Sequence, residues 1–315
     1  MKEIVISAAD ANQRLDKYLK RLFKEASGGF LYKMLRKKNI TLNKQKADGH
    51  ELLKEGDHVF VFFSDETFEK MQGISRTDAA FSVMEQGDHR HVAVVFENEN
   101  LLIVNKPAGI LTQKSKPSDH SLNDEILHYL ISTGALSKHR LQMFTPSVAN
   151  RLDRNTSGLV LAGKTLAGQQ FLSEVLRTRD ARKTYHCVVL GEVSEEATKK
   201  AYLTKDPATN LVTIHATEYP GSKEIRTRFR PIKTNGSITL LEVDLLTGRT
   251  HQIRAHMAYL GHPVIGDVKY GDDAANARYR QEKGVRRQLL HSYRIQLPGG
   301  IDAIAEDPEI FSTIF

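Results

Sequence analysis

Residues 150–165 read NRLDRNTSGLVLAGKT and place one carboxylate, Asp153, between Arg151 and Arg154, ahead of Thr156, Ser157 and Gly158 and then an apolar run. Such an acid can be a reactive carboxylate, the hydrogen-bonding residue of a charged turn, or a neighbour of a phosphate loop. The third option can be tested on the sequence. Gly158 to Thr165 satisfies G-x-x-x-x-G-K-[ST], but a phosphate loop follows a buried strand and needs flexible backbone whose N–H groups converge on oxyanions. Here the order is inverted. Polar residues precede Gly158, and Leu159, Val160, Leu161 and Ala162 have the apolar, partly β-branched character of a buried strand. Their N–H groups belong to a sheet ladder, so attention moves upstream to Asp153.

Other chemistries find weaker support. His251 and His256 are five residues apart with no Glu between them, which is not the i, i+4 pairing of a helical metal site. Ser157 lies outside a G-x-S-x-G elbow, and no dinucleotide fingerprint occurs. The single cysteine, Cys187, excludes an intramolecular disulfide framework and a multi-cysteine zinc site, and suits a reducing cytoplasmic compartment. What remains is a dispersed polar set at the ends of elements: Asp153, then Tyr185 in KTYHCVVLG, then Arg249, His251 and Arg254 in GRTHQIRAH. Each has an ordinary explanation as an Asx-turn acid, a packed strand tyrosine or a solvated helical cation.

The elements that must position these residues follow from patterning. At 315 residues with 40% hydrophobic content, the chain can bury one large core plus a smaller one. No apolar run approaches the roughly twenty residues of a membrane span, and the start MKEIVISAAD lacks a secretory core. Strands are expected on either side of Asn98–Asn100, from Gly158, in KTYHCVVLG, LVTIHATEY, EIRTRFRPI and SITLLEVDLLT, and in QLLHSYRIQLP. Helices are expected at SLNDEILHYLIS, opened by Ser121 with Asp124 at the capping-box position, from about Thr165 to Arg177, and in THQIRAHMAYLG. Strands cluster without βα alternation, which predicts an α+β fold with a mixed, mainly antiparallel sheet and flanking helices.

The net charge is +7, and it is unevenly distributed. Between residues 14 and 46, Arg14, Lys17, Lys33, Arg36, Lys37 and Lys38 belong to a basic stretch containing only Asp16 and Glu25 as acids. Leu15, Tyr18, Leu19, Leu22 and Phe23, then Phe30, Leu31, Met34 and Leu35, recur at helical spacing on either side of a break at Gly28 and Gly29. An alternating stretch through Ile40 and Leu42 follows, with an apolar strand starting near His58. These lysines are either a solvated face or an electrostatic footprint for nucleic acid. The expected organisation is a small basic domain at 1–75, a polar connector at 76–90 and a larger domain at 91–315.

Two resemblances turn these observations into a functional expectation. Basic helices followed by ITLNKQKADGHELLKEGDHV resemble the RNA-binding domain named after ribosomal protein S4, although Ser27 is followed by Gly28 where that family usually has arginine. Further on, VNKPAGI, NRLDRNTSGLVLAGKT, ARKTYHCVVLGEV, LLTGRTHQIRAHMAYLGHPVIGDVKYG and RQLLHSYRIQL, in that order, resemble the RluA-type pseudouridine synthases over about residues 92–310. Asn150 departs from the histidine that many members carry. The resemblance implies isomerisation of uridine to pseudouridine in RNA by a monomeric enzyme without cofactor or metal. The attached S4-type domain points to bacterial large-subunit ribosomal RNA, with transfer RNA as the alternative substrate. It assigns Asp153 as nucleophile or base, Arg254 as its partner and Tyr185 as a stacking and proton-transfer group. Arg151 would fill the place of an extruded base or hold a flanking phosphate, Arg249, His251 and Lys183 would contact substrate, and Arg14, Lys17, Lys33, Arg36, Lys37 and Lys38 would contact RNA backbone. A binding module without catalysis and a phosphate-loop ATPase are the competing readings.

Overall fold

The computed structural model describes residues 1–8, 10–72 and 92–315. Its strands form two sheets. The smaller pairs β1 (Lys2–Val5), β4 (His58–Val61), β2 (Ile40–Leu42) and β3 (Gln45–Lys46), in that order and all antiparallel. Helices α1 (Leu15–Leu22) and α2 (Gly28–Arg36) carry the apolar positions read from the sequence, burying Leu15, Tyr18, Leu19, Leu22, Leu31, Met34 and Leu35. Gly28 and Gly29 do not separate the helices. They open α2, because the Ser27 hydroxyl accepts from the Phe30 N–H at 3.2 Å and caps the helix one residue earlier.

Two elements of this half differ from the sequence reading. Strand β1 is too short and half-exposed to announce itself. Residues 65–72, where patterning gives no element, form helix α3 (Asp65–Gln72), whose Phe68 packs edge-on against Phe23 at 5.3 Å. The proposed connector 76–90 lies outside the described residues. The core of this half also takes in Met143 from α5 (Lys138–Met143), so the two halves touch through apolar contact.

The larger sheet contains eleven strands in the order β11 (Val212–His215), β10, β12 (Lys223–Thr234), β13, β9, β14, β8, β6 and β5, with β7 (Ser147–Val148) on β8 and β15 (Ile301–Ile304) on β14. Its members include β5 (Ala93–Glu97), β6 (Leu101–Lys106), β8 (Ser157–Gly163), β9 (Arg182–Leu190), β13 (Ile238–Leu245) and β14 (Leu290–Leu297). The β14–β8 pair is parallel, while the other pairs are antiparallel. The sheet is therefore mixed and mainly antiparallel, as patterning predicts. Strand β10 (Ala197–Lys205) went unread because ATKKAYLTK mixes lysines with small residues and buries only Ala201 and Leu203. Helices α4 (Leu122–Ser132) and α6 (Leu166–Thr178) start where their caps predict: Asp124 accepts from the Ser121 N–H at 3.0 Å, and the Thr165 hydroxyl accepts from the Gly168 N–H at 3.1 Å.

Every residue of β8 is buried, and its backbone pairs with β6 from Gly158 to Gly163. The N–H groups that a phosphate loop would aim at an oxyanion are thus committed to the sheet. Gly158 is glycine for a different reason. Its φ is +108°, and a Cβ there would lie 2.3 Å from the Ser292 carbonyl oxygen of β14.

Candidate functional site

Asp153 sits in the turn that enters β8, and that turn is held from several sides. The Thr112 hydroxyl donates to the Leu152 carbonyl at 2.8 Å and accepts the Leu152 N–H at 3.1 Å. The Asn150 side chain accepts the Leu161 N–H at 2.7 Å, so asparagine at this departure from the family pattern docks the turn onto the strand. Lys106, fully buried at the end of β6, donates to the carbonyls of Pro107, Ile110 and Arg154 at 3.0, 3.1 and 3.1 Å. Burial pushes its pKa down to about 8, with Asp153 opposing the shift. Three carbonyl acceptors are what an ammonium ion requires, so Lys106 acts as a charged clip between the two loops at neutral pH.

Helix α7 (Gln252–Tyr259) brings Arg254 to the carboxylate. Its Nη1 donates to Asp153 Oδ2 at 2.8 Å. Its Nε and Nη2 donate to the two oxygens of Asp267 at 2.6 and 2.8 Å, a bidentate pair in which the Asp267 side chain is 0% exposed. The backbone N–H groups of Lys269 and Tyr270 also donate to Asp267. Burial would push Arg254 down, but the hydrogen bonds and charge of Asp267, with Asp153, outweigh it and hold the guanidinium above its ordinary value. Burial acts upward on Asp267, and Arg254 holds it below the usual range. Arg254 also lies over the Tyr270 ring, 5.3 Å from its centroid.

His251 precedes α7 in the left-handed conformation at φ +53°. Its Nδ1 lies 2.9 Å from the Tyr270 hydroxyl, and that hydroxyl oxygen accepts the Val212 N–H at 3.0 Å. The one phenolic proton is then free to go to His251 Nδ1, which leaves the imidazole proton on Nε2, facing Asp153 Oδ1 at 3.7 Å. That separation permits charge attraction but is longer than a hydrogen bond. Burial lowers the His251 pKa, with Asp153 opposing and Arg254 adding to the shift, so the ring is neutral at pH 7.

Tyr185 is buried on β9, opposite Ser292 of β14 in register. Burial pushes its pKa up to about 12; the Ser292 side chain lowers it and the Asp153 charge adds to the rise. Asp153, Tyr185, His251 and Arg254, dispersed over a hundred residues, thus meet. Arg151 and Arg249 are exposed beside this cluster, and no contact to it draws them in. Lys183 lies on β9, two residues before Tyr185. In the basic half, Lys17, Lys33, Arg36, Lys37 and Lys38 are exposed. Arg14 differs: its guanidinium is taken up by Asp16, with Nε–Oδ1 and Nη2–Oδ2 both at 3.1 Å.

Asp267 and Tyr270 escaped sequence reasoning because GDVKYG reads as a turn. The available signal was a buried arginine with one assigned acid, which calls for a second. Lys106 escaped as well, since nothing in VNKPAGI states that its lysine points inward. Among the described residues, no group of three or more His, Cys, Asp or Glu side chains could hold a metal ion, and no helix is long and apolar enough to cross a membrane.

A carboxylate pinned on one oxygen, a phenol and a neutral imidazole on one mixed sheet define a class before they define a substrate. Residues 100–259 match the family described as RNA pseudouridylate synthase, and the chain belongs to that family. It is 31% identical over 288 residues to ribosomal large subunit pseudouridine synthase C of Vibrio cholerae serotype O1, covering 91% of this chain and 85% of that protein. It is 32% identical over 271 residues to an uncharacterized RNA pseudouridine synthase of Mycoplasma pneumoniae, covering 85% and 80% of the two chains. In structure it resembles human RNA pseudouridylate synthase domain containing 1, with a TM-score of 0.57 and 21% identity over 71% of this chain and 86% of that one. That last likeness concerns the fold.

Proposed function

We propose that the protein converts uridines of large-subunit ribosomal RNA to pseudouridine, with Asp153 as the reacting carboxylate. The observation that carries this reading is the state of Asp153. One oxygen is fixed by Arg254 at 2.8 Å, yet the side chain remains 29% exposed, so the carboxylate is oriented and still reachable. A capping acid would instead spend its oxygens on local N–H groups, and none donates to Asp153 among the described contacts.

The reaction breaks the bond from C1′ to N1, turns the uracil, joins C5 to C1′, and moves a proton from C5 while N1 gains one. Its atoms balance without oxidant or water. Asp153 acts on the sugar or base as nucleophile, or removes a sugar proton as base. Tyr185, with its pKa raised to about 12 by burial, enters as the neutral phenol. It offers its ring to uracil and can take the C5 proton only as its own proton leaves. Arg151, exposed beside Asp153, is free to occupy the place of the extruded base.

The first half supports an S4-type RNA-binding role for residues 1–75. Helices α1 and α2 and the two residues after α2 expose Lys17, Lys33, Arg36, Lys37 and Lys38, and such cations bind phosphate backbone without reading sequence. Residues 91–315 would then be the catalytic unit. We infer action as a monomer, as the family resemblance implies.

The test is Asp153→Asn on a large-subunit ribosomal RNA transcript, measuring pseudouridine formation, RNA affinity and melting temperature. The amide keeps the shape and removes the charge, so turnover should fall to background while affinity and stability stay close to wild type. Substantial pseudouridine formation by the folded variant would sink the assignment.

A further inference from the structure

A cavity of about 550 Å³ opens where the end of α6 meets the start of β9 and the turn leading to α7, its lining ending two residues along the chain from Tyr185 and from His251. Its lining is rich in cations: Arg177, Arg179, Arg182 and Lys183 on one side, Arg228 and Arg249 on the other. Three of these are already paired. Arg177 bonds Glu174, Arg182 bonds Asp244 at 2.9 Å, and Arg228 bonds Glu196 at 2.7 Å. The two acids in the wall are occupied as well, Asp244 by Arg182 and Thr184, and Asp180 by the Thr178 hydroxyl at 2.6 Å. Arg179, Lys183 and Arg249 have no carboxylate partner among the described residues.

Two of these three occupy positions where folding stability alone would select a different residue. Lys183 is half-buried, and the charge of Arg179 acts on its ammonium. Burial and then the Arg179 charge lower its pKa. Arg179 is the C-terminal cap of α6 in the left-handed conformation at φ +67°, the place where glycine costs least. A like-charged pair with no ion-pair partner among the described residues, one member half-buried and the other in a strained backbone conformation, is disfavoured in the free protein and becomes favourable once an oxyanion enters. Alternation along β9 puts Lys183 on the same face as Tyr185, about 7 Å along the strand, and the Lys183 ammonium lies 3.6 Å from where a Cβ on Gly248 would stand, next to Arg249.

We propose that this cavity is a phosphate subsite, in which Arg179, Lys183 and Arg249 together take one phosphodiester of the RNA strand next to the target uridine. The proposal rests on the RNA-modifying reading above and goes beyond it by giving Lys183 and Arg249 a shared ligand and by adding Arg179.

The experiment uses the full chain, the large-subunit ribosomal RNA transcript and the variants Lys183→Met, Arg179→Gly, their combination, and Arg177→Gln as a rim control whose cation is already paired. The RNA-free melting temperature of the first two should be unchanged or higher, because a desolvated unpaired charge and a left-handed arginine are removed. RNA affinity should fall about tenfold for the combination, and the slope of log K against log salt should drop by roughly one phosphate's worth, about 0.7 to 0.9, because both cations serve one anion. Arg177→Gln should match wild type. Inorganic phosphate, at ionic strength matched with chloride, should compete with RNA on wild type and lose that advantage on the combination.

An unchanged affinity and slope in the folded combination would overturn the proposal. If inorganic phosphate still raised the wild-type melting temperature through Lys183 in that case, the cavity would be a free-anion site and not an RNA subsite. Failure of the functional reading looks different: wild type would form no pseudouridine on the transcript, whatever the pocket variants did to binding.

Discussion

The two halves of the chain treat positive charge in opposite ways. Around α7, Arg254 is buried and each of its three side-chain nitrogens donates to a carboxylate, Nε and Nη2 to Asp267 and Nη1 to Asp153. On α2 and just beyond it, Lys33, Arg36, Lys37 and Lys38 stand in solvent, and no acid pairs with them among the described contacts. A guanidinium fixed from both sides has lost its freedom before substrate arrives, and so can orient a carboxylate. Solvated cations are neither fixed nor costly, and so can neutralise a backbone whose exact position varies. One arrangement is fixed in geometry and the other is not, and the proposed RNA-binding role of the solvated cations needs no fixed geometry.

That contrast can be broken most severely at Asp267. Asp267→Ala leaves Arg254 buried with one acid where it had two. The loss of a buried ion-pair partner costs about 3 to 5 kcal/mol, read as a fall in the urea midpoint, and any variant that folds should turn over slowly because Arg254 is free to rotate away from Asp153.

Acid should distinguish the halves next. His256 is fully buried, its Nδ1 is 2.9 Å from the Thr227 hydroxyl, and burial lowers its pKa to about 4. Its folded value lies below the unfolded one near 6.5, so the unfolded chain binds the proton more readily. The stability tied to the neutral ring is therefore complete above about pH 6.5 and is lost as pH falls toward 4, on the order of 3 kcal/mol in all. Stability curves between pH 7 and 4 should show this slope in wild type and a shallower one in His256→Gln.

Neutralising Lys33, Arg36, Lys37 and Lys38 together to glutamine should leave melting unchanged and reduce the salt slope of RNA binding by up to about 3 to 4 units, one contact each. An unchanged slope would show that this face is merely solvated. The smallest effect is expected from an exposed ion pair in the catalytic half. Lys200, 2.8 Å from Glu224 at the surface, should be replaceable by methionine without a measurable change in melting temperature or turnover.

Sequence reasoning reached some levels of this molecule better than others, for physical reasons. Apolar periodicity located α1, α2, β8, β9 and β14 because their buried faces are continuous in sequence. It missed α3 and β10, whose burial rests on one or two side chains in a charged stretch. The Asp153 cluster became legible through resemblance, since Asp153 and Arg254 are 101 residues apart and no local pattern joins them. Asp267 and Lys106 act by satisfying buried donors and acceptors. That need is visible only once it is known which atoms have lost their water.

Strand β14 lies between β9 and β8 in the large sheet, although residues 290–297 follow both by about a hundred positions or more. Until that strand is inserted, the piece carrying Tyr185 and the piece carrying the Asp153 turn share no edge in the sheet order. On a ribosome adding about 5 to 20 residues per second, the basic helices are exposed many seconds before the two pieces can be joined. The Asp153 turn and Tyr185 are therefore brought together late, and the onset of turnover after synthesis or refolding times the closing of the sheet.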